Sequence, residues 1–431
     1  MSYKKVKLSE ICTIEKGAMG ITKAIEGEYP MVTMAEARTS HNEYQFDTKA
    51  VLIPLVSSTG HGHASMKRIH YQEGKFAVGS IICALVPKKE DVVNARFLYN
   101  YLHFQRESIL VPLMRGAANV SLSIKSISSV EINLPPLETQ ISINKLVDDF
   151  KLRQDIFQTE LKTQSNLLSK LRQAYLQEAV MGKLTKPSQD NAQTLLKAIK
   201  SQKAELIKQG KLRKEKPLAP IKPEEIPFEI PDNWVWCRLG EIGILERGKS
   251  KHRPRNDESL FKDGQFPFIQ TGDVAQSKKT GYKILSNSGY YNDFGLSQSK
   301  MWEKGTLCIT IAANIAETGF LTFDACFPDS VVAFSSIEGG DVLSNFVKYF
   351  IEVSKTEIER FAPATAQKNI NLGILDDLFF PLPPLSEQKA IVAKVEGLLG
   401  NVSLLESENK AQQIDVQRLM GAVLQEAFGG Q

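Results

Sequence analysis

The sequence predicts an α+β protein: two mixed α/β domains in tandem pseudo-repeat, each followed by a long helix, the two helices pairing as a coiled coil. Three observations predict it. LPPLETQ at Leu134–Gln140 returns as LPPLSEQ at Leu382–Gln388, an offset of 248 residues. LSKLRQAYLQEAVMG, ending at Gly182, returns at the same offset as VQRLMGAVLQEAFGG, ending at Gly430. The stretches between these motifs contain no proline and carry apolar residues at heptad spacing.

The elements follow in chain order. VKLSEICTIEKG, ending at Gly17, resembles CRLGEIGILERG, ending at Gly248; this offset is 231, so the second copy carries 17 extra residues before its LPPL motif. Domain one spans 1–140. Its strand-like runs are Val51–Val56 and Gly79–Val86, followed by an apolar helix over Ala95–Phe104. The first long helix, 141–182, places Ile143, Val147, Phe150, Phe157, Leu161, Leu168, Leu171 and Tyr175 on a heptad stripe, with Gln154 and Gln164 as polar exceptions. A basic linker over 183–230 holds a polar helix across Ala192–Gly210 and then a proline-spaced extended run. Domain two, 231–388, repeats the plan with strands at Gly305–Ile311 and Asp329–Phe334 and a helix over Ser344–Val353. The second long helix, 389–431, repeats the stripe with Ile391, Val395, Leu398, Val402, Leu405, Val416, Leu419 and Val423; Asn409 and Gln412 are polar. Gln164 and Gln412 share one heptad position and are expected as a buried polar layer that penalises shifted registers.

Composition excludes several classes. Hydrophobic residues are 42% and charged residues 24% of the 431, an ordinary globular profile. The longest apolar run, Val78–Val86, is far short of the roughly 20 residues of a membrane span. No apolar run follows the first lysines, so no secretory leader is expected. Five cysteines without a CxxC pair indicate neither disulfides nor a zinc cage, and the cytoplasm is the expected compartment. The net charge of +4 hides an imbalance: 183–222 holds eleven Lys/Arg against three acids. Such a segment is a solvated linker or a surface for phosphates or acidic partners.

The doubled plan resembles the specificity subunit of Type I restriction–modification systems. The residues that carry this are LPPLETQ/LPPLSEQ, the heptad helices, LQEAVMG/LQEAFGG and the lead-in motifs YKKVKLSEI and EEIPFEIPDNWVWCRLGEI. Within the domains, YPMVTM at Tyr29, FPFIQTGDV at Phe266 and GTLCITIAANIAETG at Gly305 add to it, and the likeness covers essentially the whole chain. The resemblance implies two target recognition domains, each reading half of a split double-stranded DNA site, held apart by an antiparallel coiled coil. It also implies two modification (methyltransferase) subunits and restriction (translocase–nuclease) subunits as partners. S-adenosylmethionine, ATP and Mg2+ then belong to those partners, and this chain holds no catalytic, cofactor or metal site. A coiled-coil scaffold that docks other subunits without reading DNA is the second reading.

Other chemistry finds weak support. GILERGKS at Gly243–Ser250 matches the phosphate-loop pattern GxxxxGK[ST], but a helix cannot follow, because Arg253 precedes a proline. No [DN]-P-P-[YF] methylase motif occurs. His61, His63 and His70 with Glu73 lack metal-ligand spacing, and a turn reading fits them better.

DNA-binding candidates are therefore polar and cationic loop residues. Arg247, Lys249, Lys251, His252, Arg253 and Arg255 make a dense basic run, with Lys16, Lys23 and Arg38 in the corresponding region of domain one. For base reading, domain one offers Ser57, Ser58, Thr59, His61, His63, Lys67 and Arg68; domain two offers Gln270, Thr271, Asp273 and Asn314. Arg115 and Asn119, and Gln367, Lys368 and Asn369, precede the last strand of each domain at matching places. The simple alternative for all of them is turn chemistry.

Overall fold

The computed structural model describes residues 3–20, 24–59, 62–117, 119–212, 218–361 and 369–429. The chain divides into two compact units: Met1–Thr163 with Asn409–Gln431, and Gln164–Glu408.

Both units are built from the same strands in the same order. In unit one a sheet runs Cys12–Lys16, Ile82–Pro87, Ala50–Pro54, His70–Gln72. Unit two repeats this as Gly243–Arg247, Val331–Ser336, Leu307–Thr310, Thr318–Leu321, with Lys283–Ile284 added at the edge. The central strands Ala50–Pro54 and Leu307–Thr310 are buried at every residue, which is why they read as unbroken apolar runs rather than alternating ones. A second sheet in each unit has a parallel pair at its centre, Tyr29–Val32 with Lys75–Val78 and Phe266–Phe268 with Ala325–Cys326. Each unit is closed by its lead-in strand. Lys4–Lys7 pairs antiparallel with Glu131–Leu134, and Val235–Arg238 with Phe379–Leu382, the strands that run into the two PPL motifs.

The domain helices form where the sequence predicts and extend further. The first domain helix is Ala95–Ile109; the Asn94 side chain accepts from the Arg96 and Phe97 amides, and Phe97, Leu98, Tyr101 and Leu102 are buried. Its counterpart is Gly340–Arg360. The extra residues of domain two lie mainly between Phe268 and Gly289, where the helix Thr271–Gln276 and the added edge strand are built. The linker helix Ala192–Lys208 is less polar in its role than expected. Ala192, Leu196 and Ile199 are buried in the core of unit two, and Lys200 pairs with Glu241 at 2.7 Å.

The long helices are Leu137–Val180 and Leu385–Gly429. In unit one, Ile143 and Val147 share a core with Phe428, and farther along Asn409 Nδ2 donates to Leu161 O at 3.1 Å. In unit two, Leu176, Ala179 and Val180 share a core with Ile391 and Val395, while Arg172 Nη2 donates to Ser403 Oγ at 3.2 Å. Within each unit the two segments therefore run antiparallel.

The polar layer differs from expectation. Gln164 and Gln412 are exposed, and the amide buried midway along the helices is Asn409. A straight helix drifts about 20° per heptad from a strict 3.5-residue seam. Leu161, Val402 and Asn409 stay buried along the middle, while Phe157, Leu405 and Leu419 rotate out to 38%, 49% and 55% exposure.

Gly17 and Gly248 share one structural reason. A Cβ would lie 2.2 Å from Gly79 O in the first and 2.1 Å from Pro328 O in the second, so each backbone passes the turn before the neighbouring strand at contact distance. The glycine that completes the phosphate-loop pattern is thus a packing glycine. Gly243–Arg247 is itself strand, and no helix follows it before Glu258.

Glu387 is a buried carboxylate with a structural task. Its Oε2 accepts from Trp234 Nε1 at 2.6 Å, and its Oε1 accepts from Asn233 Nδ2 and the Ser188 amide. Burial alone raises the carboxyl pKa, but these donors outweigh it and hold the value below the ordinary 4.5. Glu387→Ala leaves the donors unpaired, at about 1–3 kcal/mol for each group left buried and unsatisfied. A depressed acid contributes stability in full above the unfolded value and loses it as pH falls through the folded one. The loss on thermal unfolding should therefore be full near pH 7 and shrink below pH 4.5. A loss independent of pH would assign the effect to packing instead.

Candidate nucleic-acid interface

The fold gathers the expected loops at equivalent corners of the two units. In unit one the loop after Ala50–Pro54 and the segment 115–121 meet through the bridge Val56↔Ser121 and the bond from Ser57 N to Val120 O, 3.0 Å. In unit two the loop after Leu307–Thr310 meets Asn369 through the bridge Ala312↔Asn369, and Ile370 N donates to Ile311 O at 2.9 Å.

The two loops differ in chemistry. The first is closed by hydroxyls: Ser57 Oγ donates to His63 O at 2.6 Å, Thr59 Oγ1 and Ser65 Oγ lie 3.0 Å apart, and Ser58 Oγ accepts from Lys67 N at 3.0 Å. Ser57, Ser58 and Thr59 thus shape their own loop; Ser58 and Thr59 are exposed with His63 and Lys67, whose side chains take part in none of these bonds. Arg106 fixes the loop's far end, its Nε donating to Met66 O at 2.8 Å. The second loop is short and strained. Ala313 and Ala316 hold positive φ of 61° and 59°, while Ala313 and Asn314 stand exposed above buried Ile315. The Thr310 hydroxyl ties it down, accepting from Glu317 N at 3.0 Å and donating to Asn314 O.

Other candidates have internal partners. Arg38 is tied into the strand beside it: Nε donates to Gln72 Oε1 at 2.9 Å, Nη2 to Tyr71 O at 3.1 Å, and Nη1 meets His70 Nδ1 at 3.2 Å. An arginine can only donate, so His70 Nδ1 accepts and its proton sits on Nε2. Burial, ahead of the nearby arginines, lowers the pKa of His70 to about 4, which keeps it neutral at pH 7. Arg68 pairs with Glu36 at 3.1 Å, and Arg115 Nη1 donates to Pro112 O at 2.6 Å. Gln270 and Thr271 open the helix Thr271–Gln276 rather than a loop, and Asp273 caps it by accepting from Gln270 N at 2.7 Å. Lys16, Asn119 and Asn369 are exposed. Lys23, His61, Gln367 and Lys368 lie outside the described residues. Among the described residues no three His, Cys, Asp or Glu side chains gather in a way that could hold a metal ion, and no helix is long and apolar enough to cross a membrane.

The basic run of domain two gathers several cations around one acid. Lys249 and Lys251 are exposed, and His252 Nε2 lies 2.8 Å from Asp257 Oδ2. Arg253 Nη1 donates to Ser250 O and His252 O, at 2.6 and 2.8 Å. Arg247, Arg253 and Arg255 converge on Asp329, a residue that sequence reasoning did not single out.

The family model for the Type I restriction modification DNA specificity domain matches this chain twice, over residues 2–164 and 231–414. The chain belongs to that family. Each match contains one of the two PPL motifs and runs into the long helix after it. A curated relative, the specificity subunit of the Type I restriction enzyme EcoAI of Escherichia coli, is 43% identical over 282 residues, 63% of this chain and 46% of that protein. The EcoEI specificity subunit of the same species is 25% identical over 66% of this chain and 49% of its own length, so the chain spans about half of these two relatives. The EcoDI specificity subunit, also from Escherichia coli, matches end to end, at 25% identity over 100% of this chain and 89% of that protein. The HsdS subunit of Thermoanaerobacter tengcongensis shares the fold, with a TM-score of 0.58 at 18% identity, covering 99% of this chain and 96% of that one.

Proposed function

We infer that the chain is the non-catalytic DNA-recognition subunit of a Type I restriction–modification complex. Each domain reads one half of an asymmetric, split site in double-stranded DNA, and partner subunits methylate or cleave. The observation that carries this is the pair of specificity domains with one strand order and two unlike loops at the same corner: a hydroxyl-laced loop at 57–65 and a strained one around Asn314. A shared scaffold with different loops supports two different half-sites. Two modification subunits and the restriction subunits dock on this chain and bring S-adenosylmethionine, ATP and Mg2+. The exposed Leu152, Ile156, Leu167, Leu404 and Ile414 along the long helices support such docking, since apolar residues there have no cover in the chain alone.

Methylation profiling of DNA from cells carrying the system tests this reading. The expected result is one split motif with unlike halves and unread base pairs between them. A palindromic motif, or methylation independent of this chain, would refute it.

A further inference from the structure

The basic run of domain two carries its own counter-ion, and that arrangement has no stabilising purpose large enough to explain it. Arg255 Nη2 lies 2.6 Å from Asp329 Oδ1 and 2.9 Å from Oδ2; Arg253 Nη2 lies 3.9 Å from Oδ2, and Arg247 Nε donates to Asp329 O at 3.0 Å. The two guanidinium side chains are 55% and 47% exposed. Ion pairs that open to solvent contribute about 0–1 kcal/mol.

The turn does not require an acid either. Val331 N donates to Pro328 O at 3.0 Å, and the same turn in unit one is made by Ile82 N and Gly79 O at 2.9 Å. Ser80 stands in that turn where Asp329 stands in this one, and the strand beside it leads into Gly17, Ala18 and Met19, with no arginine. The acid is thus present in the copy that carries arginines at 253 and 255, while in the first copy Ser80 stands in its place and Lys16 in that of Arg247.

A carboxylate held between arginines offers two anionic oxygens, the chemistry of a DNA phosphodiester. We propose that Asp329 occupies the seat of a backbone phosphate: DNA bound by domain two sets a phosphate against Arg253 and Arg255, and Asp329 is the internal anion it must displace. Lys249 and Lys251 belong to the same run and are exposed. The consequence is a weaker grip on every duplex, with the preference left to the bases. Phosphate contacts favour any duplex equally, whereas base contacts favour the correct one. An internal competitor weakens the first term and leaves the second intact, so random DNA is held less tightly than the number of cations would give. The proposal rests on the DNA-recognition reading above and assigns a device to one of its surfaces.

The test uses the full chain assembled with its modification subunits. Wild type, Asp329→Asn and Arg255→Gln are titrated against a duplex carrying the profiled site and a random duplex, across a range of potassium chloride. Asp329→Asn should bind both duplexes roughly three- to tenfold tighter, with a salt slope steeper by about one and an unchanged preference for the site. Arg255→Gln should weaken both duplexes alike, with a slope shallower by about one. Asp329→Asn binding that is weaker or unchanged on random duplex overturns the proposal. If that variant does not fold, an unchanged slope for Arg255→Gln overturns it equally. A wild-type complex that prefers no site refutes the recognition reading itself; a wild type that selects its site while Asp329→Asn matches it refutes only the role of Asp329.

Discussion

Phe428→Ala should cost unit one about 3–5 kcal/mol, the range for removing a buried phenyl ring. The residue lies more than 300 positions along the chain from the helix it packs on. Its ring is 2% exposed and packs on Phe97, Tyr101 and Phe104 of the helix Ala95–Ile109, with centroids 5.8 to 5.9 Å apart. Gln105 Nε2 also reaches Phe428 O, at 3.4 Å. Hydrogen exchange resolved by segment is the appropriate measurement. Protection should fall in 95–147 and hold in the core of unit two, where Val180 takes the corresponding place in the repeat. An equal loss in both units, or a loss under 1 kcal/mol, would contradict the assignment of this ring to the core of unit one.

Inserting four residues into each long helix, beside Gln164 and beside Gln412, should change which DNA is bound. On the proposed reading the helices set the gap between half-sites. Each begins in one unit and ends in the other, and they are nearly equal at 44 and 45 residues. Four residues add about 6 Å and close to one turn, so the flanking faces stay within about 40° of their original orientation. That length is nearly two base-pair steps of about 3.4 Å. Binding to the original site should then fall by about 1–3 kcal/mol for each base pair read out of place. A site with a wider gap and the same two half-sequences should replace it in methylation profiles. Altered half-sequences with an unchanged gap would eliminate the helices as the ruler. Both insertion points are exposed; the buried contact they displace is Asn409 to Leu161, because those residues lie on opposite sides of the inserted turns.

The repeat made the architecture legible. The constant offset of 248 residues located both PPL corners and both long helices, because a long helix cannot gain or lose residues without shifting everything it packs against. The central strands were legible because strands covered on both faces need unbroken apolar runs, as in Ala50–Pro54. What was not legible depends on pairing across long stretches of chain. Gln164 and Gln412 shared a heptad position, but which amide is buried depends on the register and drift of two helices, and Asn409 took the place opposite Leu161. Glu387 has Thr139 as its counterpart, so the repeat gave no sign that the second copy needs a carboxylate for Trp234 and Ser188. The same holds for the binding surface. Cation density located the basic run, but the number of cations left for DNA is decided by Asp329, 74 residues from Arg255 along the chain.

Unit one is discontinuous, and that orders events on the ribosome. Its last segment, Asn409–Gln431, is translated only after all of Gln164–Glu408. Domains of a growing chain generally fold from the N-terminus onward, at about 5–20 residues per second. Here the N-terminal half emerges first and lacks its final helix segment for the whole time unit two is being made. At those rates, the roughly 245 intervening residues leave its unsealed apolar face open for on the order of 10–50 s. Nascent unit one is therefore the part of the molecule most in need of a chaperone, and premature termination inside the last helix would spare unit two while leaving the earliest-made domain unfinished.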